Sequence, residues 1–228
     1  MRQVVLDTET TGLDPALGHR VIEIGALEVL NRRMTGATFH VYLNPDREID
    51  AGAVAVHGLT NEFLADKPHF ADVARDFLDF VRGAELVIHN APFDVGFLNT
   101  ELRRVDEDPL GQICGVLDTL KLAKEMHPGQ KNNLDALCKR YQVDNSGRNF
   151  HGALLDAQLL SEVYLAMTRG QETLGIDVAV KPRDDGPMAV LPTRRCSLKV
   201  LRADPRELAA HASYLEGLIK ECGEEVTW

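Results

Sequence analysis

Scarcities narrow the chemistry first. The chain has only four cysteines, Cys114, Cys138, Cys196 and Cys222, and no two form a CxxC pair. That spacing argues against a thiolate zinc site, and the cysteines are expected to be reduced, in a cytoplasmic protein. Positive charge is in deficit: 25 Lys and Arg against 35 Asp and Glu leave a net charge of -10. Such a protein does not coat duplex DNA indiscriminately, although a cleft that admits a few nucleotides is not excluded. Long apolar runs are missing too. None approaches the roughly 20 residues of a membrane span, so no membrane partner is expected. The short run after Met1 and Arg2 stops at Asp7, too brief for a signal peptide. There is no internal repeat and no low-complexity tract.

What is present is ordinary globular composition: 228 residues, 44% hydrophobic and 26% charged. That suffices for one sizeable core plus a small appendage. Gln3 to Leu6 reads as a buried strand bounded by the acidic stretch Asp7-Thr8-Glu9, and Thr11-Gly12-Leu13-Asp14-Pro15 is turn chemistry. Two further strands are expected at residues 21–26 and 38–43, joined as a hairpin around Asn31, Arg32 and Arg33. Asn44 and Pro45 open a long loop that includes Val56-His57-Gly58-Leu59-Thr60. Apolar residues at helical spacing predict a helix over 70–81. Leu86 to Ile88 is a buried strand running into a helix from Phe93. Val116 to Asp118 is a fifth strand, and helices follow near 119–125, 133–141 and 153–167. Lys181 to Pro187 is linker-like, and a last unit holds Leu198 to Leu201 and an amphipathic helix through Leu208, Leu215 and Ile219. Strands in a meander, then alternating with helices, predict an α/β fold with a mixed sheet flanked by helices.

Four carboxylates stand out against this frame. On a strand, Asp7 and Glu9 share one face. They are either a strand end meeting solvent or a pair needing a cation, and hard oxygen ligands suit Mg2+ or Mn2+. Asp94 is either a first-turn partner of its helix dipole or a buried carboxylate, because Phe97 and Leu98 lie three and four residues on. Asp156 shares the stripe of Leu159, Leu160 and Val163. His151 lies five residues before Asp156, about 500° of helix, so it is expected on the glycine-flanked loop ahead of that helix. His19, His40, His69, His127 and His211 are read as solvated.

Together these residues resemble the DEDDh 3′–5′ exonuclease family of the ribonuclease H-like superfamily. Asp7-Thr8-Glu9-Thr10-Thr11-Gly12-Leu13 resembles its first motif, His89 to Leu98 its second, and His151-Gly152-Ala153-Leu154-Leu155-Asp156-Ala157 its third. Val56 to Thr60 also matches, so the likeness spans residues 1–168. The resemblance implies a five-stranded ribonuclease H-like sheet with its first three strands antiparallel. It also implies two divalent metals held by Asp7, Glu9 and Asp156, with Asp94 completing the cluster, and His151 as the general base. An imidazole suits that role because it changes charge near neutral pH. Glu9, Thr10, His57 and Phe93 match positions that bind the terminal nucleotide of a single-stranded 3′ end.

The likeness continues into the tail, where it is closer to proofreading members of the family. Gln171, Leu174 and Ile176 resemble a sliding-clamp-binding motif, with Ile176 where an aromatic is common; a plain helix end and linker is the alternative. The resemblance therefore divides the chain into an exonuclease domain (1–168), a clamp motif and linker (169–196) and a C-terminal polymerase-binding segment (197–228). Two other functions share these motifs: an RNA-trimming exonuclease, and a non-catalytic accessory subunit that keeps the fold. A glycoside hydrolase fits less well, since such enzymes set their carboxylates across the bond from each other.

Overall fold

The computed structural model describes residues 1–147, 150–169 and 203–222. Five strands form one sheet: β1 (Arg2–Thr10), β2 (Val21–Leu30), β3 (Arg33–Tyr42), β4 (Glu85–Ile88) and β5 (Gly115–Asp118). Their order is β3-β2-β1-β4-β5. β1, β2 and β3 pair antiparallel, while β4 pairs parallel with β1 and β5 parallel with β4. This is the mixed five-stranded sheet expected from the strand pattern.

β2 and β3 are longer than the sequence pattern suggested, because they zip together as far as a two-residue turn. Asn31 and Arg32 both take positive φ, 49° and 63°. That is the geometry a tight hairpin needs to match the strand twist. The long loop after Asn44 is also more ordered than expected. It contains α1 (Ala51–His57) and α2 (Asn61–Leu64). The Ala51–His57 run has almost no polar residues to create a periodic pattern, so its helicity left no sequence signal.

The remaining helices are α3 (Phe70–Val81), α4 (Ala91–Arg104), α5 (Leu110–Ile113), α6 (Thr119–Met126), α7 (Leu134–Tyr141), α8 (Ala153–Met167) and α9 (Pro205–Cys222). The strand alternation sorts them onto two faces. Val4, Leu6, Ile24, Leu86 and Ile88 pack against Phe77 of α3 and Phe97, Leu98 and Leu102 of α4. Val5, Leu27, Val29 and Val87 pack against Leu137 of α7 and Leu160 and Val163 of α8. Asp7 and Glu9 continue the second face, and Thr8 the first.

Contacts at both ends fix α8 on the sheet. A Cβ on Gly25 would overlap the backbone of Ala153 and Leu154. Gly25 is the cross-strand partner of Asp7, so the missing side chain lets the start of α8 press onto the sheet beside Asp7. At the other end, Arg32 donates to the Leu165 carbonyl and to Thr168 Oγ1 at 2.9 and 2.8 Å.

The chain divides into two units, Met1–Gly175 and Ile176–Trp228. In the second, α9 is described, with Leu208 and Tyr214 57% and 65% exposed. Residues 171–176 and 198–201, where a clamp motif and a further apolar run were expected, lie outside the described residues. Among the described residues no helix is long and apolar enough to cross a membrane.

Candidate active site

The site forms where β1 runs on past its pairing with β4, which covers Gln3 to Val5. Asp7 and Glu9 arrive on the α8 face of the strand. Asp156, in the first turn of α8, arrives above them and is only 3% exposed. Asp94, in the first turn of α4, comes from the opposite face and is also 3% exposed. Its Oδ1 accepts from the backbone N–H and the hydroxyl of Thr8 at 3.1 and 2.7 Å. The four carboxylates and His151 line one cleft of about 270 Å³. Both helical carboxylates therefore lie inward, which decides for Asp94 between a helix-dipole partner and a buried carboxylate.

His151 sits on the loop before α8, but that loop folds back. Its Nδ1 lies 3.3 Å from Asp156 Oδ2. Helical spacing alone had kept the two apart, because it says nothing about residues preceding the helix. The backbone N–H of His151 donates to the Val56 carbonyl at 3.1 Å, which ties the loop to α1.

Burial shapes the electrostatics. It pushes the Asp94 carboxyl up to about 7, against the lowering effect of the Thr8 hydrogen bonds. Uncompensated charge is costly there, and a cation in the cleft would offset it. The donors fit a hard divalent ion: Glu9, Asp156 and His151 each offer one ligand atom, all within 4.8 Å of one another. No thiolate lines the cleft among the described residues.

A second cavity, about 480 Å³, adjoins the first and shares Thr8, Glu9 and Phe93 with it. Thr10, Leu13, Val56 and His57 also line it. His57 is buried, and its Nδ1 accepts from the Leu59 N–H at 3.0 Å. Its Nε2 is buried with no partner among the described residues. Burial lowers the pKa of His57; a contact with the Thr10 backbone opposes this and the nearby His151 adds to it. The cavity thus holds a neutral imidazole with one unfilled hydrogen bond.

Several neighbours were not legible in the sequence. His89 lines the carboxylate cleft, bonds Thr119 Oγ1 through Nδ1 at 2.9 Å and has no partner for its buried Nε2 among the described residues. His19 is a correction: it is buried, not solvated. Its Nδ1 lies 3.1 Å from Thr11 Oγ1, and it packs where a side chain on Gly12 would stand. His40 is exposed, as expected, although it is bonded, at 2.8 Å, to the buried Glu23, which faces Glu9 across the β1–β2 ladder. His127 bonds Tyr141 at 2.7 Å. His69 and His211 stand at the surface as expected. The partners of the bonded histidines lie on other elements, so no local pattern marked them.

The family described as Exonuclease (RNase_T) matches residues 4–164, which span both cavities. The chain belongs to the exonuclease family. As a member it is a metal-dependent 3′–5′ exonuclease. Among curated relatives, DNA polymerase III subunit epsilon of Salmonella typhimurium is 51% identical over all of this chain and 97% of the relative. The protein of the same name from Escherichia coli is 50% identical over the same shares. The solved structure of exonuclease X in complex with 5′ overhanging duplex DNA matches with a TM-score of 0.60 and 27% identity, over 74% of this chain and 92% of that one. Escherichia coli exonuclease I matches with a TM-score of 0.66 over 75% of this chain and 41% of that one; at 20% identity it shows the shared fold alone.

Proposed function

We propose that this protein is the proofreading subunit of a replicative DNA polymerase, of the DNA polymerase III epsilon type, removing mismatched nucleotides from DNA 3′ ends. The observation that carries this reading is the joining of the two cavities. One gathers Asp7, Glu9, Asp94, Asp156 and His151; the other is lined by Thr10, His57 and Phe93; Glu9 borders both.

Asp7, Glu9 and Asp156, completed by Asp94, would hold two divalent ions, Mg2+ or Mn2+. Such ions stabilise charge on the attacking and the leaving oxygen of a phosphodiester. The chain's own groups do the rest. Phe93 and Thr10 hold the terminal nucleoside against the cavity wall, and the unfilled Nε2 of His57 meets a sugar hydroxyl. Asp156, beside Nδ1 of His151, orients the ring so that Nε2 takes the proton from the attacking water. The product is a 5′-mononucleotide. Phe93 touches a base face without reading its edge, so removal does not depend on which base is wrong.

Outside the catalytic domain (residues 1–168), Gln171, Leu174 and Ile176 act as the sliding-clamp motif within a linker (169–196). Residues 197–228 attach the protein to the polymerase alpha subunit in the cytoplasm. The exposed Leu208 and Tyr214 of α9 supply apolar anchors for that contact. The test is a primer with a 3′ mismatch, incubated with Mg2+ alone and with the polymerase. Release of the mismatched mononucleotide by the wild type, and none by Asp7→Ala, is expected. Faster trimming of an RNA 3′ end than of DNA would redirect the reading to RNA processing.

A further inference from the structure

Phe150 stands immediately before His151 and is 60% exposed, although it is a large apolar side chain beside the cleft. It lies over Gly58, the residue that ends α1. A Cβ on Gly58 would meet Cδ1, Cγ and Cδ2 of the Phe150 ring at 3.3, 3.3 and 3.6 Å. Three ring atoms at nearly equal distance place one face of the ring over the glycine backbone. The exposed area therefore belongs to the opposite face. Gly58 has φ 73°, a conformation that favours glycine, and its missing side chain leaves a flat seat. The seat is anchored beside the ring, where the His151 N–H bonds the Val56 carbonyl. Val56, 46% exposed, lines the nucleoside cavity, and His151 lines the carboxylate cleft. The ring thus stands at the rim, next to a residue of each cavity and lining neither.

We infer that Phe150 is a stacking platform for the base of the penultimate nucleotide of the substrate strand. This rests on the exonuclease reading above. With the terminal nucleoside in its cavity and the scissile phosphate at Glu9, Asp156 and His151, the next nucleoside emerges past His151, where the open ring face stands. The chain's net charge of -10 gives the strand's phosphates little general attraction. An apolar face holds the strand by another force. Every base has a π face, so the contact is indifferent to sequence.

Two substrates separate this role from that of holding His151 in place. One is a single-stranded thymidine decamer; the other is the 4-nitrophenyl ester of thymidine 5′-monophosphate, which has no second base. Phe150→Ala should raise KM for the decamer about tenfold, the usual scale of one lost stack. It should leave kcat on the decamer and both constants on the ester unchanged, and Phe150→Trp should restore KM. Equal losses on both substrates would overturn the inference and assign the ring to positioning His151. An unchanged KM on the decamer would overturn it too. A wild-type protein that releases no nucleotide from the decamer would sink the exonuclease reading itself, an outcome visible without any variant.

Discussion

At the scale of single residues, the chemistry turns on groups whose surroundings conflict with their charge. Asp94 is buried with its carboxyl pushed up to about 7. A carboxyl whose folded value exceeds its unfolded value, about 4, takes up protons on folding between the two. The metal-free protein therefore loses stability as pH rises from about 4 to about 7, and the cost is constant above that. Asp94→Asn keeps an oxygen for Thr8 and removes the charge. In chelator, its melting temperature should exceed that of the wild type near pH 8, and the gap should shrink near pH 5; a gap independent of pH would refute this account. His151 gives a second prediction. Replacing it with Ala should lower kcat by about 10²–10⁴-fold, as expected for a lost general base. Isothermal titration with Mn2+ should still show metal binding, since the carboxylates remain. A loss below tenfold would give the proton to another group.

Between elements, one contact decides whether the site assembles. α8 carries Asp156, and it reaches the sheet only because Gly25 of β2 has no side chain. Gly25→Ala forces backbone against Cβ and moves the start of α8. Overpacking of this kind costs about 1–3 kcal/mol, occasionally more. Urea unfolding should register that loss. Activity should fall further than stability alone explains, because Asp156 and His151 move away from Glu9. Full activity in a variant destabilised by that amount would show that α8 tolerates the shift.

For the whole molecule, the proposed function puts nuclease chemistry and attachment on separate stretches of chain. Among the described residues, 1–168 contain the three apolar clusters and every charged or imidazole group that lines the carboxylate cleft. A fragment of those residues should release mononucleotides from single-stranded DNA at the full-length rate. It should no longer co-elute with clamp or polymerase in gel filtration. Leu174→Ala in the full chain is the finer probe. It should weaken clamp binding measured by surface plasmon resonance and leave mismatch removal by the isolated protein intact; unchanged clamp affinity would return 171–176 to the status of linker.

The sequence by itself determined where the five strands lie, the sheet type and the face each carboxylate shares, because these follow from period. Period two put Asp7 and Glu9 on one face, and period 3.6 put Asp94 and Asp156 on buried stripes. It also marked His151 as a loop residue. Only the tertiary structure decided that Asp94 reaches the cluster from the opposite face of the sheet, that the His151 loop folds back onto Asp156, and that His19, His40 and His89 have partners. Those contacts join residues far apart in the chain. A missing side chain can open such an approach, to the backbone of α8 at Gly25 and to the Phe150 ring at Gly58. Periodicity describes each element alone, and a close approach is a property of two.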